Sequence, residues 1–124
     1  MTARIFIVDD ERTMVETLRE ILVMNGCDIL GWAYDGDEAV RKYASFVPPP
    51  DIVIMDYRLP AKNGAEAMAE ILKLDPSARV LFVSADMNAR SIALAGGAVG
   101  FILKPFGMRE FLATVQTLVR KDAS

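Results

Sequence analysis

The amino-acid sequence predicts a doubly wound α/β domain, in which a parallel β-sheet is covered by helices on both faces. Five short apolar runs alternate along the chain with five segments whose apolar residues recur at helical spacing. The runs are mostly continuous, which is typical of strands buried on both faces. Parallel strands need long crossover connections, and right-handed crossovers place the connecting helices on either side of the sheet.

The predicted strands are apolar segments that end at polar or turn-forming residues. They cover residues 4–8, 28–33, 52–55, 80–83 and 101–103. The second contains Gly31 and Trp32 and is weaker than the first, so we expect it at an edge of the sheet.

Four of the five predicted helices carry a clear apolar stripe. The stripes are Met14, Val15, Leu18, Ile21 and Leu22; Ala39, Val40, Tyr43 and Ala44; Ala65, Met68, Ala69 and Leu72; and Met108, Phe111, Leu112, Val115, Leu118 and Val119. The remaining segment, 88–95, is short and is followed by two glycines, so we expect it to be the least stable helix.

Several predicted helix ends have recognisable signals. Asn25-Gly26 is expected to stop the first helix, because glycine readily adopts the left-handed conformation. Asp35 with Glu38 resembles a capping arrangement at the start of the second helix. Asp75-Pro76 closes the third, and residues 121–124 are expected to form a polar tail after the last.

Length and composition favour one folded domain over residues 1–124. A chain of 124 residues can bury a core without disulfides or metals, and its 52% hydrophobic content argues against disorder. No apolar run is long enough to cross a bilayer and no signal segment opens the chain, so we expect a soluble, cytoplasmic protein without a membrane partner. The single cysteine, Cys27, is expected to be a small buried hydrophobe without a function.

Charge and residue types exclude several classes of function. The net charge of −3 argues against direct nucleic-acid binding by this chain, because affinity for phosphate backbones comes from clustered Lys and Arg. The sequence contains no histidine, which excludes Ser-His-Asp triads and histidine metal ligands. Carboxylates, hydroxyls and lysines remain to carry chemistry.

Groups of these types follow four of the five predicted strands. Asp9-Asp10 follow the first strand, Asp56 the third, Ser84 the fourth and Lys104 the fifth. Ligands of open α/β sheets bind beyond the carboxyl ends of the strands. We therefore expect these residues to converge at one edge of the sheet.

Crowded carboxylates at that edge need a counter-charge. Two unit charges about 4 Å apart repel by several kcal/mol at the effective dielectric of a protein surface. Mg²⁺ suits an all-oxygen cluster, because it binds a few carboxylates, keeps waters and takes phosphate oxygens. With Lys104 as a second cation and a hydroxyl as a donor, the set is typical of phosphoryl transfer to a carboxylate nucleophile.

Taken together, the motifs resemble the receiver domain of two-component response regulators. They are the acidic pair after the first strand, Asp56 with Leu59-Pro60 and Asn63-Gly64, Ser84-Ala85, and Lys104-Pro105-Phe106. The resemblance covers essentially the whole chain, with the motifs in order and at compatible spacing. It implies a flavodoxin-like fold with sheet order 2-1-3-4-5, and transfer of a phosphoryl group from the phosphohistidine of a histidine kinase to an aspartate.

The resemblance also implies a role for each motif residue. Asp56 would be the phosphoacceptor, and Lys104 would contact the phosphoryl group. Asp9 and Asp10 would hold Mg²⁺ together with Asp56. The backbone carbonyl of Arg58 would be a further metal ligand.

A switch and a control of its lifetime are implied in the same way. Ser84 would hydrogen-bond the phosphoryl group, and Phe101 would turn toward the space that the moving loop leaves. Members of the family often have tyrosine where Phe101 stands; without the hydroxyl, the inward state is expected to be less sharply defined. Arg58 and Asp86 match positions that set the lifetime of the phosphorylated state, and we expect them to approach each other over the site and hinder the hydrolytic water.

Each of these residues also has a purely structural explanation. Asp10 could cap the first helix, Ser84 could satisfy turn backbone, and Lys104 could be a solvated lysine before a proline. Asp56 is harder to explain in this way, because a carboxylate directly after a buried strand loses its hydration unless something compensates.

Three functions are consistent with these patterns. The first is a phosphorylation-controlled switch, which is not an enzyme with a separate substrate because it catalyses only its own phosphorylation and dephosphorylation. The second is an interaction module whose output ignores phosphorylation and survives Asp56→Asn. The third is a Mg²⁺-dependent phosphatase, a class that commonly has a second acid two residues after the nucleophile, where this sequence has Arg58.

The first function implies partners on two sides. The phosphodonor would be a sensor histidine kinase or a phosphotransfer protein. The output would leave through the surface of the fourth helix, fifth strand and fifth helix, toward a downstream protein or an output domain outside this chain. The same surface could support a homodimer.

Overall fold

The computed structural model describes residues 2–123, with side chains described through Val119. The strands are β1 (Arg4–Val8), β2 (Asp28–Ala33), β3 (Ile52–Asp56), β4 (Val80–Ser84) and β5 (Gly100–Leu103). The helices are α1 (Arg12–Met24), α2 (Gly36–Ser45), α3 (Gly64–Leu74), α4 (Ala89–Ala95) and α5 (Met108–Ala123). All neighbouring strands pair in parallel in the order β2-β1-β3-β4-β5, which confirms the predicted doubly wound fold and places β2 at an edge.

The sheet separates two apolar cores. Successive side chains of a strand point to opposite faces, so Ile5 and Ile7 of β1 join the core under α1 and α5, while Phe6 and Val8 join the core under α2 and α3. β3 and β4 are buried along their whole length, as their continuous apolar sequences predict. Each fully buried large apolar side chain contributes about 2 kcal/mol relative to exposure to water.

The central strands extend to the residues that carry chemistry. β3 includes Asp56 and β4 includes Ser84, each as its last residue, and β5 begins at Gly100, so each is one residue longer than predicted. The sheet therefore fixes the backbone of Asp56 and Ser84 with the precision of a strand rather than of a loop.

Three of the predicted helix-end signals are present in the structure. Gly26 ends α1 with a φ of +84°, and Asp75 is the C-cap of α3. The Asp35 carboxylate accepts the backbone N–H of Glu38 at 2.7 Å, as the capping pattern predicts. A complete capping box, which was not predicted, joins Asn63 and Glu66 at the start of α3.

Two helices differ from the prediction. In α3 the buried residues are Gly64, Ala67, Met68 and Ile71, whereas Ala69 is exposed and Ala65 and Leu72 are only half-buried. Of the predicted stripe only Met68 is fully buried, and the observed buried face follows helical spacing from Gly64, which packs closely against the Asp56 carbonyl and the Phe82 ring. α5 continues to Ala123, so the polar tail predicted over 121–124 is helical as far as it is described, and Ser124 lies outside the described residues.

Smaller expectations also need correction. Ala44 of α2 is exposed, and Cys27 is half-buried at the margin of the core rather than fully buried. Among residues 2–123, no helix combines the length and the apolar character that crossing a membrane requires.

Candidate functional site

Three carboxylates lie together at the carboxyl edge of the sheet. β1 pairs with β3 so that Val8 is opposite Met55, and the next residues, Asp9 and Asp56, therefore meet. One carboxylate oxygen from each of Asp9, Asp10 and Asp56 lies within 4.8 Å of the other two. Asp9 and Asp56 are only 2% and 8% exposed, whereas Asp10 is exposed and borders solvent. The predicted acidic cluster is present, with one open side.

Asp10 does not cap α1. The N-cap of that helix is Glu11, whose side chain makes no capping hydrogen bond. The backbone N–H of Glu11 instead donates to Asp9 Oδ1 at 2.9 Å, which fixes the Asp9 carboxylate at the start of the helix. The alternative that Asp10 caps α1 is therefore wrong, and its carboxylate is available to the acidic cluster.

Lys104 reaches the cluster from the far side of β4. Its Nζ lies 3.2 Å from Asp9 Oδ2 and 3.7 Å from Asp56 Oδ2. The side chain is largely buried, so the alternative of a solvated lysine is wrong. One ammonium faces three carboxylates, and the cluster keeps an excess of negative charge.

The electrostatic consequence is a pair of acids that resist ionisation. Burial raises the pKa of Asp56 to about 6; the nearby Lys104 ammonium lowers it, and the charge of Asp9 raises it again. Burial also raises the pKa of Asp9, against the lowering effects of the Glu11 N–H and of Lys104. A further cation bound at the cluster would lower the pKa of both Asp9 and Asp56, because it favours their ionised forms.

The donor set fits a hard divalent cation. All three side chains offer oxygen, and the exposed position of Asp10 leaves room for bound water and for a phosphate oxygen, which is the coordination that Mg²⁺ prefers. The backbone N–H of Arg58 donates to Asp56 Oδ1 at 3.4 Å, which brings the backbone of the loop after β3 close to the cluster. Ligation by the Arg58 carbonyl remains a prediction.

Ser84 lies next to this cluster in the sheet, and its hydroxyl oxygen accepts a hydrogen bond from the turn that follows β4. β3 pairs with β4, and Ser84 is buried as the last residue of β4. Its Oγ accepts the backbone N–H of Asp86 at 3.1 Å, the turn interaction that the structural explanation predicts. Its role as a donor to a phosphoryl group remains a prediction.

Phe101 is half-buried on β5. It packs against the core under α2 and α3. It is thus neither fully inside nor fully outside, and its movement remains a prediction.

Arg58 and Asp86 meet, as the sequence analysis expected. Arg58 Nη2 lies 2.8 Å from Asp86 Oδ2, and the pair bridges the loops that follow β3 and β4. The other oxygen of Asp86 accepts the backbone N–H of Asn88 at 2.9 Å, just before α4. The Asp86 carboxylate therefore connects Arg58, in the loop after β3, to the start of α4.

Sequence reasoning missed two features near the site. Lys62 forms ion pairs with Asp37 of α2 and Glu70 of α3; no local spacing signals this contact, because the partners lie 25 and 8 residues away. A groove of about 480 Å³ lies beside Lys104, between α1 and the start of α5. It is lined mainly by apolar side chains, including Met14, Leu18, Phe106 and Met108. The sequence pattern of Met14 and Met108 predicts only their place on the apolar stripes of α1 and α5.

Comparison with known proteins gives a consistent result. The sequence profile of the response regulator receiver domain matches residues 5–116. The chain is 41% identical over 108 residues to the chemotaxis protein CheY of Thermotoga maritima. The aligned region covers 86% of this chain and 88% of the relative.

Solved structures agree with the sequence matches. The CheY-containing crystal structure of the CheX-CheY-BeF3-Mg²⁺ complex from Borrelia burgdorferi matches with a TM-score of 0.88 and 34% identity, over 94% of this chain and 88% of that one. The response regulator domain of Thermotoga maritima CheB matches with a TM-score of 0.82 and 34% identity, over 98% and 96% of the two chains.

Proposed function

The chain belongs to the response regulator receiver domain family, and on this premise we propose that Asp56 takes a phosphoryl group from the phosphohistidine of a sensor kinase or a phosphotransfer protein. The observation that carries the proposal is the position of Asp56: a buried carboxylate at the end of a central strand, beside two further acids and within 3.7 Å of the Lys104 ammonium. This protein's general function is that of a phosphorylation-dependent switch, as in its family.

The chemistry needs a nucleophile and charge neutralisation. A carboxylate oxygen of Asp56 forms a bond to phosphorus while the bond from phosphorus to the donor's imidazole nitrogen breaks, and the imidazole leaves with the bonding electron pair and takes up a proton. Lys104 lies where it can neutralise a phosphoryl oxygen as the group arrives. Mg²⁺ bound by Asp9, Asp10 and Asp56 would supply further positive charge to the transferred group.

Access for the phosphodonor is consistent with the groove beside the site. The groove runs between α1 and the start of α5, and Lys104 forms part of its wall. Apolar side chains such as Met14 and Met108 adapt readily to a partner's surface. A helix of the donor protein seated there would bring its histidine to the edge of the sheet where Asp56 lies.

The output leaves through α4, β5 and α5. Several large apolar side chains of α4 and β5 are exposed: Ile92, Leu94 and Leu103. Once Asp56 is phosphorylated, the Ser84 hydroxyl donates its proton to a phosphoryl oxygen; the loop between β4 and α4, whose Asp86 N–H is bonded to the same Oγ, moves with Ser84 while Phe101 changes its rotamer. A downstream protein or an output domain reads the new face, and a second copy of the chain could occupy it instead.

One structural neighbour supports this scheme by analogy. That protein, a CheY, forms a complex with CheX in the presence of BeF3 and Mg²⁺. We infer that the present chain likewise binds Mg²⁺ and a phosphoryl-like group together, and that a partner protein recognises the resulting state.

The experiment that tests the proposal is incubation with acetyl phosphate and Mg²⁺, followed by intact mass and peptide mapping. One added phosphoryl group on the peptide that contains Asp56, absent after Asp56→Asn and after chelation of Mg²⁺, is the expected result. An unmodified chain overturns the proposal. Steady release of phosphate from many equivalents of donor would indicate a phosphatase, and partner binding that persists unchanged in Asp56→Asn would indicate a phosphorylation-independent module.

A further inference from the structure

Lys62 joins the loop after Asp56 to two helices. Its Nζ lies 3.0 Å from Asp37 Oδ1 and 2.5 Å from Glu70 Oε2. Asp37 is in the first turn of α2, and Glu70 is in the middle of α3. The hydrogen bonds to Glu70 and Asp37 raise the pKa of Lys62, so the ammonium stays charged at any physiological pH. A single side chain thus connects the 57–63 loop to both of its neighbouring helices.

The backbone around Lys62 is packed equally closely. The Pro60 carbonyl accepts the N–H of Lys62 at 2.8 Å and that of Gly36 at 3.4 Å. A Cβ at Gly36 would overlap the carbonyl of Lys62, so glycine is required for the start of α2 to approach the loop this closely. Ala61 has a φ of +68°, a conformation that alanine keeps only where its surroundings hold it. The loop therefore has one conformation that several contacts enforce together.

That conformation determines what Asp56 meets. Two residues after the acid, the Arg58 N–H donates to Asp56 Oδ1, and at the end of the loop the Gly64 N–H donates to the Tyr57 carbonyl at 2.7 Å. Lys62 lies between these two closures. A shift of the loop at Lys62 is consequently passed along the backbone to Arg58 and to the oxygen that it contacts.

We propose that Lys62 is a positioning residue, which holds the 57–63 loop against Asp37 and Glu70 in the conformation that presents Asp56 and the Arg58 backbone to a divalent cation. The inference rests on the proposed function, since it takes the acidic cluster to be a Mg²⁺ site. Lys62 contacts neither the cation nor the phosphoryl group. Exposed ion pairs contribute little to global stability, so the main effect of losing Lys62 is on loop geometry and cation affinity.

The test compares Lys62→Met with Lys62→Arg and with Lys73→Met, a control on the exposed last turn of α3 at the opposite edge of the sheet. The Mg²⁺ dissociation constant is measured by calorimetry, and the urea midpoint is measured separately in EDTA. Lys62→Met is expected to weaken Mg²⁺ binding about tenfold, the effect typical of residues that orient metal ligands. Lys62→Arg should restore most of the affinity, and the urea midpoint in EDTA should stay close to that of the wild type.

Each other outcome has a defined meaning. If the wild type binds Mg²⁺ and Lys62→Met binds it equally well, or only the urea midpoint falls, Lys62 is merely structural and the inference is overturned while the proposed function stands. If the wild type itself binds no Mg²⁺, the proposed function fails and takes this inference with it. Should Lys62→Met not fold, the double variant Asp37→Asn with Glu70→Gln replaces it, and unchanged Mg²⁺ affinity there overturns the inference.

Discussion

Asp56 carries an electrostatic cost in the metal-free protein. Burial raises the pKa of Asp56 from 3.8, the value of a free aspartate, to about 6. The Lys104 ammonium offsets only part of this increase. An acid whose pKa is higher in the folded state favours folding when it is protonated. Its favourable contribution is therefore complete below about pH 4 and is lost as the pH rises through about 6.

Replacing Asp56 by Asn should remove this dependence. In EDTA at pH 8, Asp56→Asn is expected to raise the free energy of unfolding by up to about 3 kcal/mol, the equivalent of a shift of roughly two pKa units, because no charge is then buried. Near pH 4 the difference should vanish. Urea unfolding at both pH values measures it, and a gain that is equal at both would contradict the electrostatic origin.

Asp75 offers a matched control of opposite sign. Hydrogen bonds from Tyr43 and Ser77 lower the pKa of Asp75, so its ionised form stabilises the fold above about pH 4 and this contribution is lost on acidification. Asp75→Asn should therefore lower the urea midpoint at pH 8, where Asp56→Asn raises it.

The Arg58–Asp86 pair is the second feature to test at the scale of single residues. The pair spans the loops that follow β3 and β4, and Arg58 is highly exposed, so we expect it to restrict access to a phosphoryl group on Asp56 without sealing the site. Arg58→Ala and Asp86→Ala should each shorten the phosphoryl lifetime about two- to fivefold, which corresponds to the roughly 0.5–1 kcal/mol of an exposed ion pair.

Phosphate release after removal of acetyl phosphate measures these lifetimes. The double variant should behave like either single variant, because both remove the same contact. Arg90→Ala, on the exposed face of α4, is the control. Unchanged lifetimes in both single variants would exclude the role.

Among the elements, α4 has the weakest support. Its seven residues lack a side-chain N-cap, Gly96 follows directly, and only Ala89 and Ala93 are buried. By contrast, α3 begins with a complete capping box and buries Met68 and Ile71. A helix with so few buried contacts opens at a low free-energy cost.

Amide hydrogen exchange should show this difference. In the unmodified protein the amides of α4 are expected to exchange at least about tenfold faster than those of α3, which corresponds to a difference of roughly 1.4 kcal/mol in opening free energy. Addition of BeF3 and Mg²⁺ should slow α4 and leave α3 nearly unchanged. Protection of α4 equal to that of α3 before the addition would contradict the proposal that α4 is the mobile output element.

The order of elements and the acids at strand ends could be predicted from the sequence, because both follow from local pattern. A buried strand ends where its apolar run meets a charge, and parallel pairing then brings Asp9 and Asp56 together. The close packing of Gly64 against Phe82 at the start of α3 could not be predicted, since these residues are remote in sequence. The Lys62 contacts were missed for the same reason.

The engagement of Ser84 illustrates a different limit. A serine hydroxyl can accept a hydrogen bond in a turn and can donate one to a phosphoryl oxygen, and in the unmodified protein Ser84 accepts the Asp86 N–H. A sequence describes both states of a switch at once, so it cannot say which interaction is made in one of them.

For the molecule as a whole, the acidic edge of the sheet is where binding of a cation should stabilise the folded protein most. Asp9, Asp10 and Asp56 repel one another across the ends of β1 and β3, and Lys104 neutralises only part of their charge. Metal removal leaves this repulsion in the folded state, while in the unfolded chain the same acids are far apart. Mg²⁺ that binds only the folded protein must therefore raise the free energy of unfolding of the whole domain.

At a free Mg²⁺ concentration of about one hundred times its dissociation constant, the expected gain is about 2.7 kcal/mol over the protein in EDTA, measured by urea unfolding at pH 8. The gain should be small at pH 5, because protonated Asp56 no longer offers a ligand below its pKa of about 6. It should also be much reduced in Asp9→Asn and Asp10→Asn. NaCl at matched ionic strength serves as the control, since it screens the repulsion without being coordinated. Equal stabilisation by NaCl and by Mg²⁺ would mean that the cluster attracts counter-ions in general and holds no specific cation.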